Sequence, residues 1–156
     1  DTSDGVFTIT SSGPGEVIIN EILANEAGSD TDTEFVELVN VGGTSVDLSG
    51  LKLWDKSGAR HTFPSGTVLL PGQALVVYGS TASTGTLSLT NTGHTFALKN
   101  GKKTVSSYAY SGSLAGVDGV SMNRSPDATA NGTFVLHTSL SSQGASPGTR
   151  ADGSAF

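Results

Sequence analysis

The 156-residue sequence contains no cysteine and only one tryptophan, and its apolar residues occur in short clusters. Without cysteine, both a disulfide framework and a thiolate metal site are excluded, so packing must stabilise the fold. A membrane-spanning helix needs roughly 20 apolar residues in succession, and no such run is present. We therefore expect a single domain without membrane insertion, because a chain of this length can bury one core between two packed layers.

Positive charge is also scarce. Eight lysine and arginine residues stand against 14 aspartate and glutamate residues, which gives a formal net charge of -6. The basic residues are scattered along the chain, whereas binding to nucleic-acid phosphates requires a positive surface. We expect no nucleic-acid partner.

The first residue is Asp1, and no initiator methionine precedes it. A basic segment followed by an apolar one, as in a secretory signal peptide, is also missing. We interpret the sequence as the processed form of an exported protein. The expected location is extracellular or at the cell surface.

Apolar clusters separated by Gly, Pro, Asn or Asp indicate strands joined by turns, and no long helix is expected. Strands are predicted at residues 17–23, 34–40, 51–54, 61–63, 74–78, 86–89, 95–98, 104–110, 119–122 and 133–136. This number of short strands is typical of a sandwich or barrel. The predicted core contains Val36, Leu38, Leu51, Leu53, Val76, Leu87, Leu89, Phe96 and Leu98.

The N-terminal residues differ from the rest of the chain. A short strand pattern places Phe7 and Ile9 on one face and Val6, Thr8 and Thr10 on the other. The SSGPG segment that follows has the composition of a flexible tether. We therefore predict an arm and tether over residues 1–15 and a β domain over residues 16–156. From residue 115 onward, turn-forming sequences predict an irregular C-terminal tail that runs over the surface.

Six blocks of the larger region resemble a known family in order and spacing. They are VIINEILAN (17–25), TEFVELVNVGGTSVDLSGLKLWD (33–55), HTFPSGTVLLPGQALVVYG (61–79), LSLTNTGHTFALKN (87–100), SMNRSPDA (121–128) and SPGTRADG (146–153). These blocks are similar to the bacterial branch of the lamin-tail domain family. The resemblance implies an all-β, immunoglobulin-like β-sandwich, here with a short N-terminal β arm and an irregular C-terminal tail.

The resemblance also implies a role in attachment or assembly. Members of the family occur as modules of exported bacterial proteins, sometimes beside nuclease or phosphatase domains, and as the globular tail of animal nuclear lamins. This sequence lacks the coiled-coil rod and the basic localisation run of the lamins. A nuclear role is therefore not expected.

Three glutamates, Glu21, Glu34 and Glu37, lie on or beside predicted strands and are the candidates for acid–base chemistry. Glu34 and Glu37 are three residues apart, so they should face opposite sides of a strand. No further group completes an acid–base site. We interpret these glutamates as lying on a solvated face or bonding to nearby loop backbone, and we expect a protein that is not an enzyme.

The loop NEAGSDTDTE contains Asp30, Asp32 and Glu34 in a D-x-D-x-E pattern. Closely spaced carboxylates can supply the oxygen ligands of a calcium ion. The glycine and the distal glutamate of an EF-hand loop are missing. Asp30, Asp32 and Glu34 are thus candidate calcium ligands, which Glu26 would join if the loop folds back, and a solvated acidic loop without a cofactor is the alternative.

Two functions follow from these features. In the first, residues 6–10 of one subunit add a strand to the sheet of the next, with Phe7 and Ile9 in its groove, and repetition produces a filament. The alternative for the arm is pairing within its own domain. In the second function, the domain is an accessory module that holds an exported hydrolase near polysaccharide, the cell surface or another protein. A sugar-stacking platform would then use Trp54, Tyr78, Tyr108 and Tyr110, unless these side chains pack into the fold.

Overall fold

The computed structural model describes residues 15–28 and 31–156, which form two antiparallel β-sheets packed face to face and a small two-stranded ribbon. This architecture confirms the expected all-β, immunoglobulin-like sandwich. The strands are β1 (Val17–Leu23), β2 (Phe35–Asn40), β3 (Val46–Asp47), β4 (Lys52–Trp54), β5 (Ala59–Thr62), β6 (Val68–Leu69), β7 (Ala74–Tyr78), β8 (Gly93–Asn100), β9 (Lys103–Ser111), β10 (Met122–Ser125) and β11 (Thr133–Leu136).

The two sheets are built from different parts of the chain. The first has the order β11-β10-β1-β2-β7, and the second has the order β5-β4-β8-β9, while β3 and β6 form the ribbon. Strand β1 is paired with β2 on one side and with β10 on the other. The C-terminal third of the chain therefore completes the sheet that β1 begins.

The core lies between the two sheets. Ile19, Val36 and Leu38 contribute to it from the five-stranded sheet, and Phe96 and Leu98 contribute from the four-stranded sheet. The remaining predicted core residues are also buried, with one exception.

That exception is Val76. Val77 is the core residue of β7, whereas Val76 pairs with Glu37 of β2 and is only partly buried. Successive side chains of a strand point to opposite faces, so the predicted core face of β7 was wrong by one residue.

The five-stranded sheet is buried on its other face as well. Every residue of β1 and β2 is buried, including the polar ones. A bulge in β1 turns both Asn20 and Glu21 away from the core, while Ile19 before them and Ile22 after them face it. This second face is the one that positions the site described below.

Besides shifts of one or two residues at strand ends, three larger differences separate the predicted strands from those observed. Residues 86–89 are not a strand, because Ser88 has a left-handed φ of 55° and the segment joins no sheet, although Leu87 and Leu89 are buried. Strand β10 is displaced by about three residues from the predicted 119–122. The two-residue strands β3 and β6 were not predicted.

The helical content is small, as expected. The longest helix among the described residues is α1 (Gly112–Ala115), and none of the described helices is long and apolar enough to cross a bilayer. Residues 1–14 lie outside the described part of the chain, so the predicted arm, Val6 to Thr10, stays a prediction. Gly15, the last residue of the predicted tether, packs closely, since a Cβ there would lie 2.4 Å from Cγ2 of Val46.

Candidate functional site

The outer face of the five-stranded sheet contains a buried polar group of side chains, which we call the carboxylate cluster: Asn20, Glu21, Glu37, Asn123 and Asp127. The strand register brings them together, because Glu21 of β1 is opposite both Glu37 of β2 and Asn123 of β10. Asp127 follows β10. Four of the five side chains, Asp127 being the exception, are 0% exposed.

Asn20 connects two carboxylates of this cluster. Its Nδ2 donates to Oε1 of Glu37 and to Oδ1 of Asp127, both at 2.9 Å, and its Oδ1 accepts from the backbone N–H of Ala128. The other oxygen of Glu37 accepts a 2.7 Å hydrogen bond from the N–H of Gly148. Every polar atom of the Asn20 side chain is therefore used in holding the C-terminal region against the sheet.

Glu21 is bound mainly by serines. Its Oε1 accepts hydrogen bonds from the hydroxyl of Ser121 and from the N–H of Ser146, and its Oε2 lies 3.2 Å from the Ser146 hydroxyl. The ring of His137 is next in the network, with Nε2 2.8 Å from Ser146 Oγ. On the other side of the ring, Nδ1 donates to the carbonyl oxygen of Gln143.

Burial favours the protonated form of these carboxyl groups. It raises the pKa of Glu37 to about 8, although hydrogen bonds from Asn20 and Gly148 act in the opposite direction. Burial likewise raises the pKa of Glu21, against the hydrogen bonds from Ser121 and Ser146. As the pH rises, Glu21 and Glu37 become charged in a buried environment, and this charge destabilises the folded state.

The geometry of His137 and Ser146 differs from that of a catalytic triad. In a triad the carboxylate bonds to histidine Nδ1, and the serine is open to a substrate carbonyl. Here a backbone carbonyl occupies Nδ1, the carboxylate of Glu21 bonds to the serine itself, and Ser146 is only 5% exposed. The arrangement joins the C-terminal segment to the sheet.

The expectation that the three glutamates are solvated was wrong. Glu21 and Glu37 are 0% exposed and Glu34 is 3% exposed. The alternative was bonds to nearby loop backbone, whereas Glu21 and Glu37 accept from the N–H groups of Ser146 and Gly148, which are distant in sequence. The C-terminal tail is irregular but is a structural cover that bonds to buried groups.

A second acidic site lies where the loop between β1 and β2 begins and ends. This loop pocket has a volume of about 320 Å³ and contains the carboxylates of Glu26 and Glu34. Burial raises the pKa of Glu34 to about 7, and the neighbouring Glu26 adds to that rise. Its described lining residues are Ala24, Asn25, Glu26, Gly28, Thr31, Glu34, Leu89 and Asn91.

The predicted calcium ligands are thus only partly located. Glu34 lies in the loop pocket together with Glu26, as expected if the loop folds back. Asp32 is exposed, and its backbone carbonyl accepts a hydrogen bond from the N–H of Ser80. Asp30 is outside the described residues. Across residues 15–28 and 31–156, no three His, Asp or Glu side chains gather into a metal cluster, and calcium binding stays a prediction.

The aromatic residues do not form one platform. Tyr110 is 5% exposed, Tyr108 stacks on Phe134 at 3.6 Å between ring centroids, and Tyr78 packs edge-on against Phe35. Trp54 is separate from them on the outer face of the four-stranded sheet. It lines a groove of about 360 Å³ with Lys99, whose Nζ lies 4.9 Å from the centre of the Trp54 ring.

The fold is an immunoglobulin-like sandwich whose carboxylate cluster attaches the C-terminal segment to the five-stranded sheet. Residues 10–112 match the Lamin Tail Domain family, and the chain belongs to that family. The family consists of immunoglobulin-like structural and interaction domains and is not a known enzyme family. No curated protein and no solved structure matches the chain.

The carboxylate cluster was not recognised from the sequence, although a signal was available. Asn20 and Glu21 interrupt an otherwise apolar strand, VIINEIL, and Glu37 interrupts FVELV. A continuous apolar run is typical of a strand buried on both faces, so a polar residue within it is also buried. The partners Ser146 and Gly148 are too far away in sequence for any local pattern to indicate them.

Proposed function

We propose that the protein is a non-catalytic extracellular assembly domain, in which residues 6–10 of one copy pair with an open sheet edge of the next copy. Phe7 and Ile9 would then contact the sandwich of the neighbour on one side of the added strand. A donor strand and an acceptor edge are different surfaces, so the contact is heterologous and repeats into a filament.

The edge of β9 is the observation that supports this proposal most. Strand β9 (Lys103–Ser111) is the last strand of the four-stranded sheet and pairs only with β8. Among the described residues, no backbone hydrogen bond joins β9 to any further strand. The flank of β9 is not wholly open, because β1 lies beside it and the hydroxyl of Ser106 accepts a 3.0 Å hydrogen bond from the N–H of Ile19. The backbone groups of β9 away from that contact can pair with an incoming strand.

Strand β9 also carries few of the features that usually protect a sheet edge. It contains no proline, its charged residue is Lys103 at one end, and its bulge is near Val105. Beyond that bulge, residues 106–111 pair regularly with β8. The opposite edge of the same sheet, β5, is covered at two positions of its backbone, because Ser83 and Thr84 bond to it.

Size-exclusion chromatography and negative-stain microscopy of three proteins would test the proposal: the full chain, a chain lacking residues 1–15, and Ala109→Lys. Ala109 is exposed on β9, and a lysine there should impede strand addition. We expect filaments from the full chain only. Ser65→Lys is the matched control, because Ser65 is exposed in a turn and the charge change is the same.

Two results would contradict strand donation to β9. In the first, the full chain stays monomeric at high protein concentration. In the second, filaments form but Ala109→Lys assembles as well as Ser65→Lys does, which would place the contact elsewhere.

The groove at Trp54 supports a second candidate function, the binding of a polysaccharide by an accessory module of an exported hydrolase. An aromatic ring and hydroxyl side chains are the groups that bind sugars, and the groove has Trp54, Thr95, Thr104 and Ser107. Trp54 is the sole tryptophan of the sequence, so its fluorescence reports on this groove alone. A saturable change in this fluorescence with soluble oligosaccharides would support this function if calorimetry also shows binding that Trp54→Ala abolishes. No change across a panel of oligosaccharides would exclude it.

A further inference from the structure

We propose that the loop pocket binds one calcium ion through the carboxylates of Glu26 and Glu34. This inference is independent of the assembly function proposed above. The site differs from the D-x-D-x-E pattern of the sequence, because the two carboxylates come from opposite ends of the β1–β2 loop. Glu26 follows β1, and Glu34 immediately precedes β2.

The carboxylate of Glu34 has an unused oxygen. The side chain is 3% exposed and lines the loop pocket, and its Oε2 is buried without a hydrogen-bond partner among the described residues. The backbone N–H of Leu89, another lining residue, interacts with the same carboxylate. A buried carboxylate oxygen without a partner is unfavourable, and a bound cation would satisfy it.

The charge of the pocket is also uncompensated. Glu26 is 7% exposed and lies beside Glu34 in the pocket, yet the described lining residues include no lysine or arginine. The ion pair found in the described part of the chain joins Arg60 to Asp55, outside this pocket. Two neighbouring carboxylates without a positive partner repel each other, and a divalent cation between them would remove that repulsion.

The neutral groups around the carboxylates are suitable for calcium. Asn91 donates from Nδ2 to Oδ1 of Asn25, and Asn25 donates to the carbonyl oxygen of Gly116, so both carboxamides are held in place at the pocket wall. Thr31 also lines the pocket. Calcium accepts six to eight oxygen ligands in irregular geometry, including amides and water, whereas magnesium demands an octahedral arrangement.

A site with two carboxylates should bind calcium weakly, with a dissociation constant on the order of 10⁻⁴ to 10⁻³ M, as in extracellular modules. Such an affinity is sufficient outside the cell. The expected consequence is that calcium fixes the two ends of the β1–β2 loop relative to each other.

Isothermal titration calorimetry and thermal unfolding of the full chain, after treatment with a chelator, would test the proposal with CaCl2 as the probe. The variants are Glu34→Gln and Glu26→Gln. The matched control is Asp152→Asn, which removes one negative charge from an exposed position far along the chain. We expect one calcium ion per chain and a raised unfolding temperature for the wild type and the control. Both variants should bind calcium at least about tenfold more weakly, since even outer partners of a metal site contribute that much.

Unfolding without calcium separates loss of binding from loss of fold. Glu34→Gln removes a buried carboxyl group whose charged form is unfavourable, so its unfolding temperature without calcium should equal or exceed that of the wild type. The proposal fails if wild-type protein shows neither heat nor a temperature shift with CaCl2, or if Glu34→Gln responds as the wild type does. An equal response to MgCl2 would contradict the assignment to calcium.

Discussion

Oε2 of Glu37 accepts a 2.7 Å hydrogen bond from the backbone N–H of Gly148, 111 residues further along the chain. Two similar bonds lie beside it, from the N–H of Ser146 to Glu21 and from the N–H of Ala151 to Asp127. Residues 137–156 form no strand. Carboxylates of the carboxylate cluster therefore take the place of a paired strand in attaching the C-terminal segment to the sheet.

The raised pKa of Glu37 makes stability depend on pH. In the folded protein this carboxyl keeps its proton up to about pH 8, whereas the unfolded chain releases it near 4.5. The tighter hold on this proton stabilises the folded state. That stabilisation is fully present below about pH 4.5 and is lost as the pH rises from about 4.5 towards about 8. We expect urea unfolding to require less denaturant at about pH 8 than at about pH 5.

Glu37→Gln should flatten this dependence, because a neutral side chain has no proton to lose. The raised pKa of Glu21 acts in the same direction, so part of the slope should persist in the variant. The free energy at stake is about 1.4 kcal/mol for each unit by which the native pKa exceeds its ordinary value. Parallel curves for wild type and Glu37→Gln would show that Glu37 does not titrate with folding.

Asn20 is expected to be the most sensitive neutral residue of the carboxylate cluster. Asn20→Ala removes two donated hydrogen bonds and one accepted bond, and leaves Glu37, Asp127 and the N–H of Ala128 short of a partner. We expect a loss of about 3 kcal/mol in the free energy of unfolding, measured by urea denaturation. Asn131→Ala, at an exposed position, should change it by less than about 0.5 kcal/mol. Equal effects of the two substitutions would refute the assigned role of Asn20.

Much of the sandwich could be predicted because local patterns determine it. The bounds of β1, β7 and β11 were predicted as observed, since each is a short apolar run between turn-forming residues. Residues 86–89 also have an apolar pattern typical of a strand, yet they form no strand. A strand also requires a partner, and the left-handed Ser88 turns this segment away from pairing while Leu87 and Leu89 still reach the core.

The apolar runs around Asn20, Glu21 and Glu37 could have indicated that these residues are buried, but their distant partners could not be predicted, because a charged residue is exposed unless distant parts of the chain cover it. The blocks that carry the family resemblance nevertheless supply the members of the carboxylate cluster and their partners. Block 17–25 provides Asn20 and Glu21, block 33–55 provides Glu37, block 121–128 provides Asn123 and Asp127, and block 146–153 provides Ser146 and Gly148. These blocks meet in space at one network, which only the tertiary structure reveals.

The family match at residues 10–112 should not delimit a unit that folds alone. Strands β10 and β11 and the donors at Ser146 and Gly148 all follow residue 112. A chain ending at residue 112 would leave Glu21 and Glu37 without these N–H partners and β1 without its neighbour β10. We expect such a chain to lose cooperative thermal unfolding by circular dichroism and to bind a hydrophobic dye. A sharp transition like that of the full chain would show that the C-terminal third is dispensable.

Gly79 is required by a close approach between two backbone segments. A Cβ on this residue would lie 2.1 Å from the carbonyl oxygen of Thr31, at the end of the β1–β2 loop, and a backbone atom cannot move aside as a side chain does. We expect Gly79→Ala to lower the free energy of unfolding by about 1–3 kcal/mol, measured in urea. Gly58→Ala is the matched control, because no atom lies within 4 Å of a Cβ at that position. Its effect should stay below about 0.5 kcal/mol. If both variants behave like the wild type, the loop is not held against Gly79 in solution, and the placement of Thr31 in the loop pocket would have to be revised.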